Sequence, residues 1–236
     1  MTGILYGVGI GPGEPELMTI KAARIIQECD IIAIPKSGDG DRVAYNIAVQ
    51  TVPELAQKEM MLLDMPMTRD KTVLKASHIN ASEQICKQLD QGKSVAFLTL
   101  GDPTIYSTYI YVHKIVKEKG YQPVIIPGVP SFCAVAAKLS DSLTEASEPL
   151  HIIPGSYDCM EACIDLPGTK VLMKTGKSLP KVREILKEHN LLSSTKMVQN
   201  CGMNNETIYE NMNDTDNESG YFSILVVKEN ANGGKK

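Results

Sequence analysis

The chain has 236 residues, 43% of them hydrophobic, which is enough apolar material for one large core or two smaller ones. A net charge of -4 argues against a nucleic-acid binder, which is usually basic, and leaves room for a local positive pocket. No apolar run approaches a membrane span, and the opening Ile4-Leu5-Tyr6-Gly7-Val8 lacks the serial regions of a signal peptide, so a cytoplasmic protein is expected.

Residues 3–9 read as a first strand, followed by Gly9-Ile10-Gly11-Pro12-Gly13-Glu14-Pro15-Glu16. The dinucleotide pattern G-x-G-x-x-G fails here on spacing: Pro12 or Glu14 stands where the third glycine belongs. A helix is expected from Thr19, with Ile20, Ala23, Ile25 and Ile26 as apolar positions. The next strand, 31–34, ends in Pro35-Lys36 with no acidic residue for a ribose hydroxyl, which excludes an NAD enzyme. The glycines leave two readings, a backbone that closely approaches a ligand or a turn with no ligand. A polar loop at 36–42 leads to a helix at 42–51. A strand at 58–63, a loop with Met65, Met67 and Arg69, and a helix at 73–91 follow, the helix stopping at Gly92.

The chain is organised around Val95-Ala96-Phe97-Leu98-Thr99-Leu100-Gly101-Asp102-Pro103. An apolar, β-branched run of this kind predicts a buried strand, and proline stops it abruptly. Ser107 is the expected N-cap of a helix running towards Gly120. A carboxylate on a stiff turn at a strand end is a site candidate, because open parallel sheets bind ligands beyond their carboxyl ends; the alternative is a simple tight turn. A strand at 124–126 ends in a second such turn, Pro127-Gly128-Val129-Pro130-Ser131, ahead of a small-residue helix. Alternating strands and helices predict right-handed βαβ units and a parallel sheet.

Composition becomes polar over 139–149, which reads as the linker between an N-terminal α/β domain, 1–139, and a C-terminal α/β domain, 150–230; within that stretch the linker proper is 140–149. Strands are expected at 150–153, 170–173, 196–200 and 222–227, a short helix at 159–164 and a firmer one at 178–190 with Ser178 as N-cap. Residues 211–220 read as a mobile hairpin loop and 231–236 as a disordered tail. Lys174-Thr175-Gly176-Lys177-Ser178 imitates a phosphate-binding loop, yet the required first glycine is Val171. The six cysteines form no Cys-x-x-Cys pair and the four histidines are scattered, so no metal site is assigned and free, mostly buried thiols are expected.

Three pieces together resemble the tetrapyrrole (corrin and sirohaem pathway) methyltransferases, which use S-adenosylmethionine. They are Val8-Gly9-Ile10-Gly11-Pro12-Gly13-Glu14-Pro15-Glu16-Leu17-Met18-Thr19, Leu100-Gly101-Asp102-Pro103 and Pro127-Gly128-Val129-Pro130-Ser131. Ile34-Pro35-Lys36, Thr104-Ile105-Tyr106-Ser107-Thr108 and Pro130-Ser131-Phe132-Cys133 resemble the branch that methylates C20 of precorrin-2, especially its cobalt-dependent members. The resemblance implies a two-domain α/β tetrapyrrole methylase fold (class III) with the active-site cleft between the domains, a homodimer, and no nucleic-acid or membrane partner. It implies cofactor contacts at Pro12, Gly101, Asp102, Pro103, Tyr106, Ser107, Thr108 and Ser131, and at Met173, Cys201, Gly202, Met203, Phe222 and Ser223. Phe132 departs from the small residues of many relatives, either as a branch-specific pocket wall or as core packing.

Methyl transfer from a sulfonium needs near-attack geometry and exclusion of water rather than a covalent intermediate. Asp102 is the candidate base for the proton that C20 must then lose; the alternative is that it only pins the turn and polar groups of the cofactor. Lys36, Arg42 and Arg69 are candidates for the rim that meets the substrate carboxylates, or are solvated surface charges. The rival functions are a methyltransferase of the same fold acting elsewhere on the ring or as a diphthine synthase, and a non-catalytic tetrapyrrole carrier, which would have no need of S-adenosylmethionine.

Overall fold

The structure, a computed structural model, describes residues 2–36, 42–156, 159–213, 220 and 222–228. The 231–236 tail, most of the 211–220 loop and residues 37–41 of the first polar loop lie outside the described residues. The chain divides into two compact units, Met1–Pro130 and Ser131–Lys236.

The first unit alternates strand and helix: β1 (Leu5–Gly9), α1 (Ile20–Glu28), β2 (Ile31–Lys36), α2 (Val43–Thr51), β3 (Glu59–Asp64), α3 (Lys71–Asp90), β4 (Val95–Thr99), α4 (Tyr109–Glu118) and β5 (Val124–Ile126). All pairings are parallel, in the order β3-β2-β4-β1-β5, as the alternation predicts. β4 is buried along its whole length, because helices cover both faces of the sheet. On one face Leu5, Ile31, Ala33, Val95 and Phe97 pack under Ile85 and Leu89 of α3 and Val112 and Val116 of α4. The Tyr109 ring fills the space left by Gly7, where a Cβ would come within 2.0 Å of it. Pro35 is tolerated inside β2 because pairing with β4 ends at Ala33, while pairing with β3 runs on to Lys36.

Two local expectations in this unit need correction. Thr19 caps α1 by accepting from the Ala22 N–H at 3.1 Å, and Ala22, Ile25 and Ile26 are buried, but Ile20 is 89% exposed. It opens the helix before the buried face begins. Ser107 is not at the N-cap of α4: Thr108 holds that position with helical dihedrals, and the Ser107 hydroxyl instead accepts from the Tyr109 N–H at 3.1 Å.

The second unit holds α5 (Ser131–Lys138), β6 (Leu150–Pro154), α6 (Cys159–Cys163), β7 (Thr169–Met173), α7 (Leu179–Glu188), β8 (Thr195–Gln199), β9 (Thr207–Tyr209) and β10 (Ser223–Val227). Helix α5 belongs with it because it packs on β10. The sheet order is β6-β7-β10-β8-β9; only β6 and β7 pair in parallel and the rest is antiparallel. The edge strand β9 has too few residues for an alternation to show in the sequence. Helix α7 buries Leu179, Val182, Ile185 and Leu186, but Ser178 makes no capping bond, being already part of a 3-10 turn. Among the described cysteines Cys29, Cys86 and Cys201 are buried, whereas Cys133 is exposed. No helix among the described residues is long and apolar enough to cross a membrane.

Candidate functional site

Five parallel strands bring five connections to one edge of the first sheet, and the glycine and proline turns of the sequence meet there as backbone. The Gly101 N–H donates to the Gly11 carbonyl at 2.7 Å and the Ile10 N–H to the Thr99 carbonyl at 3.0 Å. A Cβ on Gly9 would stand 2.6 Å from the Gly128 nitrogen, and one on Gly128 would stand 2.2 Å from the Gly101 oxygen. The glycines after β1, β4 and β5 are therefore required by one another, since no side chain fits between these three turns. Pro12 is buried beside Gly11.

Asp102 ties two of the turns together. One carboxylate oxygen accepts from the Thr104 N–H at 2.7 Å and from the Thr104 hydroxyl; the other accepts from the Gly128 N–H at 2.9 Å. The side chain is 8% exposed and Pro103 beside it is buried. Beyond the turn, Tyr106 adopts a left-handed φ of 48° and is partly exposed, and Ser107 and Thr108 lead into α4. Strand β4 itself ends in a group that sequence reasoning missed. The Thr99 hydroxyl is buried without a hydrogen-bond partner, and its only signal in the sequence was being the one polar side chain in Val-Ala-Phe-Leu-Thr.

Lys36 closes β2 and Arg69 lies on the connection after β3, so both stand at this same edge; Arg42 precedes α2. All three are exposed and none makes an ion pair with a described residue. The Lys36 carbonyl accepts from the Met65 N–H at 2.8 Å, which anchors the start of the Arg69 connection.

In the second unit, β10 runs against β7 and β8, so its first residue lies level with their last ones. Met173, Ser223, Phe222 and Cys201-Gly202-Met203 thus gather at one end of that sheet. The Asn200 N–H donates to the Phe222 carbonyl at 2.9 Å, the Gly202 N–H to the Glu206 carboxylate at 2.6 Å, and the Gly155 N–H to the Met173 carbonyl at 2.7 Å. Lys174 follows in a left-handed conformation, with burial pushing its ammonium pKa down, and the Thr175 hydroxyl is buried without a partner. Ser131 opens α5, and Phe132 next to it is buried. No cluster of three or more His, Cys, Asp or Glu side chains among the described residues could hold a metal ion.

A parallel sheet with glycine turns packed at its carboxyl edge, joined in one chain to a mixed sheet, defines a two-unit α/β protein whose glycine turns are not those of a dinucleotide fold. The model of the tetrapyrrole (corrin/porphyrin) methylases matches residues 4–214, and the chain belongs to that family. A probable cobalt-precorrin-2 C(20)-methyltransferase from Methanocaldococcus jannaschii is 34% identical over 95% of both chains. The cobalamin biosynthesis protein CobIJ of Mycobacterium tuberculosis is 31% identical over 95% of this chain, which spans only 46% of that longer relative. Among solved structures, uroporphyrin-III C-methyltransferase from Thermus thermophilus complexed with S-adenosylhomocysteine shares the fold, with a TM-score of 0.68 at 18% identity over 96% of this chain and 98% of the other.

Proposed function

We propose that this chain transfers a methyl group from S-adenosylmethionine to C20 of a precorrin-2 macrocycle, by preference its cobalt chelate, in cobalamin biosynthesis. The observation that carries the proposal is the 34% identity, end to end, with a relative named for that reaction. When bound, S-adenosylmethionine supplies an electrophilic methyl on a sulfonium centre. The residues present fit such a ligand: the buried Thr99 hydroxyl at the end of β4 has no partner of its own, and the glycine turns beside it hold no side chains that would block close approach.

The chain's own contribution is to bind, orient and keep out water. Gly101, Asp102, Pro103, Tyr106, Ser107, Thr108 and Pro12 serve the cofactor from the first unit. Ser131, Met173, Cys201, Gly202, Met203, Phe222 and Ser223 are the further cofactor contacts that the family resemblance proposes. The carboxylate of Asp102 accepts from Thr104 and Gly128, which supports an anchoring role above that of a base. Lys36, Arg42 and Arg69 meet the macrocycle carboxylates. The working form is a cytoplasmic homodimer, to be checked by light scattering of the purified chain.

Anaerobic single-turnover methylation of metal-free precorrin-2 and its cobalt chelate, with labelled S-adenosylmethionine and the product methyl placed by NMR, tests the reaction. Label at C20 of the cobalt chelate is the expected result; label at another ring carbon, or none with the cofactor bound, overturns it.

A further inference from the structure

The two most exposed large apolar side chains of the described chain are Ile20, at 89%, and Met67, at 69%. Ile20 opens α1, the helix that follows β1, Met67 stands on the connection after β3, and the partly exposed Tyr106 stands on the connection after β4. Apolar surface scattered singly over a protein is ordinary, but its concentration around one sheet edge marks a ligand surface. The Met67 connection is also held at both ends. Met65 is buried, its N–H bonded to the Lys36 carbonyl, and Asp70 caps α3 by accepting from the Thr72 and Val73 N–H groups. Between these anchors the chain presents Met67 and Arg69 to solvent.

Charge around the edge is uneven. Lys36 and Arg69 lie on the β2–β3 side, where the Asp70 carboxylate is engaged by its cap and Asp64 stands opposite Lys36 in register. Glu14 and Glu16 lie on the β1 side, in the stretch that leads to Ile20. The order β3-β2-β4-β1 separates the ends of the strands that precede Met67 and Ile20 by three strand intervals, about 14 Å at the usual spacing. A ligand matching this edge is broad, flat and apolar in its body, with carboxylates at its periphery turned towards the β3 side.

We propose that Met67 and Ile20 form the apolar seat of the macrocycle, with Lys36 and Arg69 taking its carboxylates on the β3 side. This rests on the tetrapyrrole substrate proposed above and adds the side chains that select its shape and set its orientation. Both apolar residues are exposed, so replacing them leaves the fold intact, and an acid at Ile20 suits the first turn of a helix.

The test measures binding of uroporphyrin, a stable porphyrin with eight carboxylates, by fluorescence quenching with the whole purified chain. It compares wild type with Met67→Asp, Ile20→Asp, Met67→Leu and Arg69→Glu, together with S-adenosylmethionine affinity and melting temperature. Met67→Asp and Ile20→Asp should each weaken uroporphyrin binding at least tenfold, Met67→Leu by less than threefold, with cofactor affinity and melting temperature unchanged. Uroporphyrin affinity within twofold of wild type in both aspartate variants overturns the seat. Wild-type binding with the expected losses, but no methyl transfer to any precorrin-2 form, keeps the seat and removes the methylation reading. No uroporphyrin binding by wild type overturns the seat and leaves the methylation reading to the single-turnover labelling.

Discussion

The two edges of the first sheet are built from opposite materials. At the amino edge, side chains stitch the ends together. The Asp30 carboxylate accepts from the Ser94 N–H and hydroxyl, both at 2.7 Å, and the Lys58 ammonium donates to the Gln27 and Cys29 carbonyls at the end of α1 at 2.8 and 2.6 Å. At the carboxyl edge, glycine backbones touch, residues adopt left-handed conformations, a hydroxyl is left without a partner, and cations and apolar side chains face solvent. One end secures the helices to the sheet, while the other carries the turns to which the ligand is proposed to bind. A parallel sheet makes this division available because every strand presents the same terminus at the same edge.

The comparison breaks most severely at Gly128. Gly128→Ala drives a methyl against the Gly101 carbonyl, which cannot move without shifting Asp102, so we expect a loss of about 3 kcal/mol or more by denaturant titration together with loss of cofactor binding. Next comes Asp102→Asn, which cannot accept at both of its former oxygens. Stability should fall by about 1–3 kcal/mol, and cofactor affinity and turnover should fall together. If calorimetry finds affinity kept while turnover is lost, the carboxylate is the base and the anchoring role is refuted.

At the opposite edge, Lys58→Met should cost about 1–2 kcal/mol, since it strips the last carbonyls of α1 of their donor, with the Kd for S-adenosylmethionine unchanged. The Asp30 contribution is smaller and depends on pH. Hydrogen bonds from Ser94 hold its carboxyl below the ordinary carboxylate pKa. Its stabilisation is therefore complete above about pH 4 and is lost as the pH falls through the lowered value. Asp30→Asn should therefore lower stability slightly in the neutral range and flatten its decline in that acidic window, the variant and wild type converging below it. The exposed Arg24–Glu28 pair on α1 should matter least: Glu28→Ala is expected to change stability by about 0.5 kcal/mol or less, and only at low salt.

The first unit was legible from the chain because its signals are local. A short β-branched run between turns predicts a buried strand, Thr19 supplies a side-chain cap, and Gly92 stops a helix with a φ of 80° that suits glycine. The family was legible for the same reason, since the glycine and proline turns are contiguous motifs whose spacing survives in one dimension.

Other features depend on residues far apart in the chain. Nothing local shows that Gly9 and Gly128 exclude each other's side chains, that both oxygens of Asp102 are engaged, or that the Thr99 hydroxyl is not. The direction of β10, which turns the second sheet mixed, is set by pairing with β7 and β8 and leaves no mark on its own run of a serine and four apolar residues. Ile20 read as core because its spacing fitted, and it is exposed because burial is decided by what lies across from a residue rather than by its period. Sequence periodicity settles which elements form and in what order; contacts across the chain settle which groups remain free to meet a ligand.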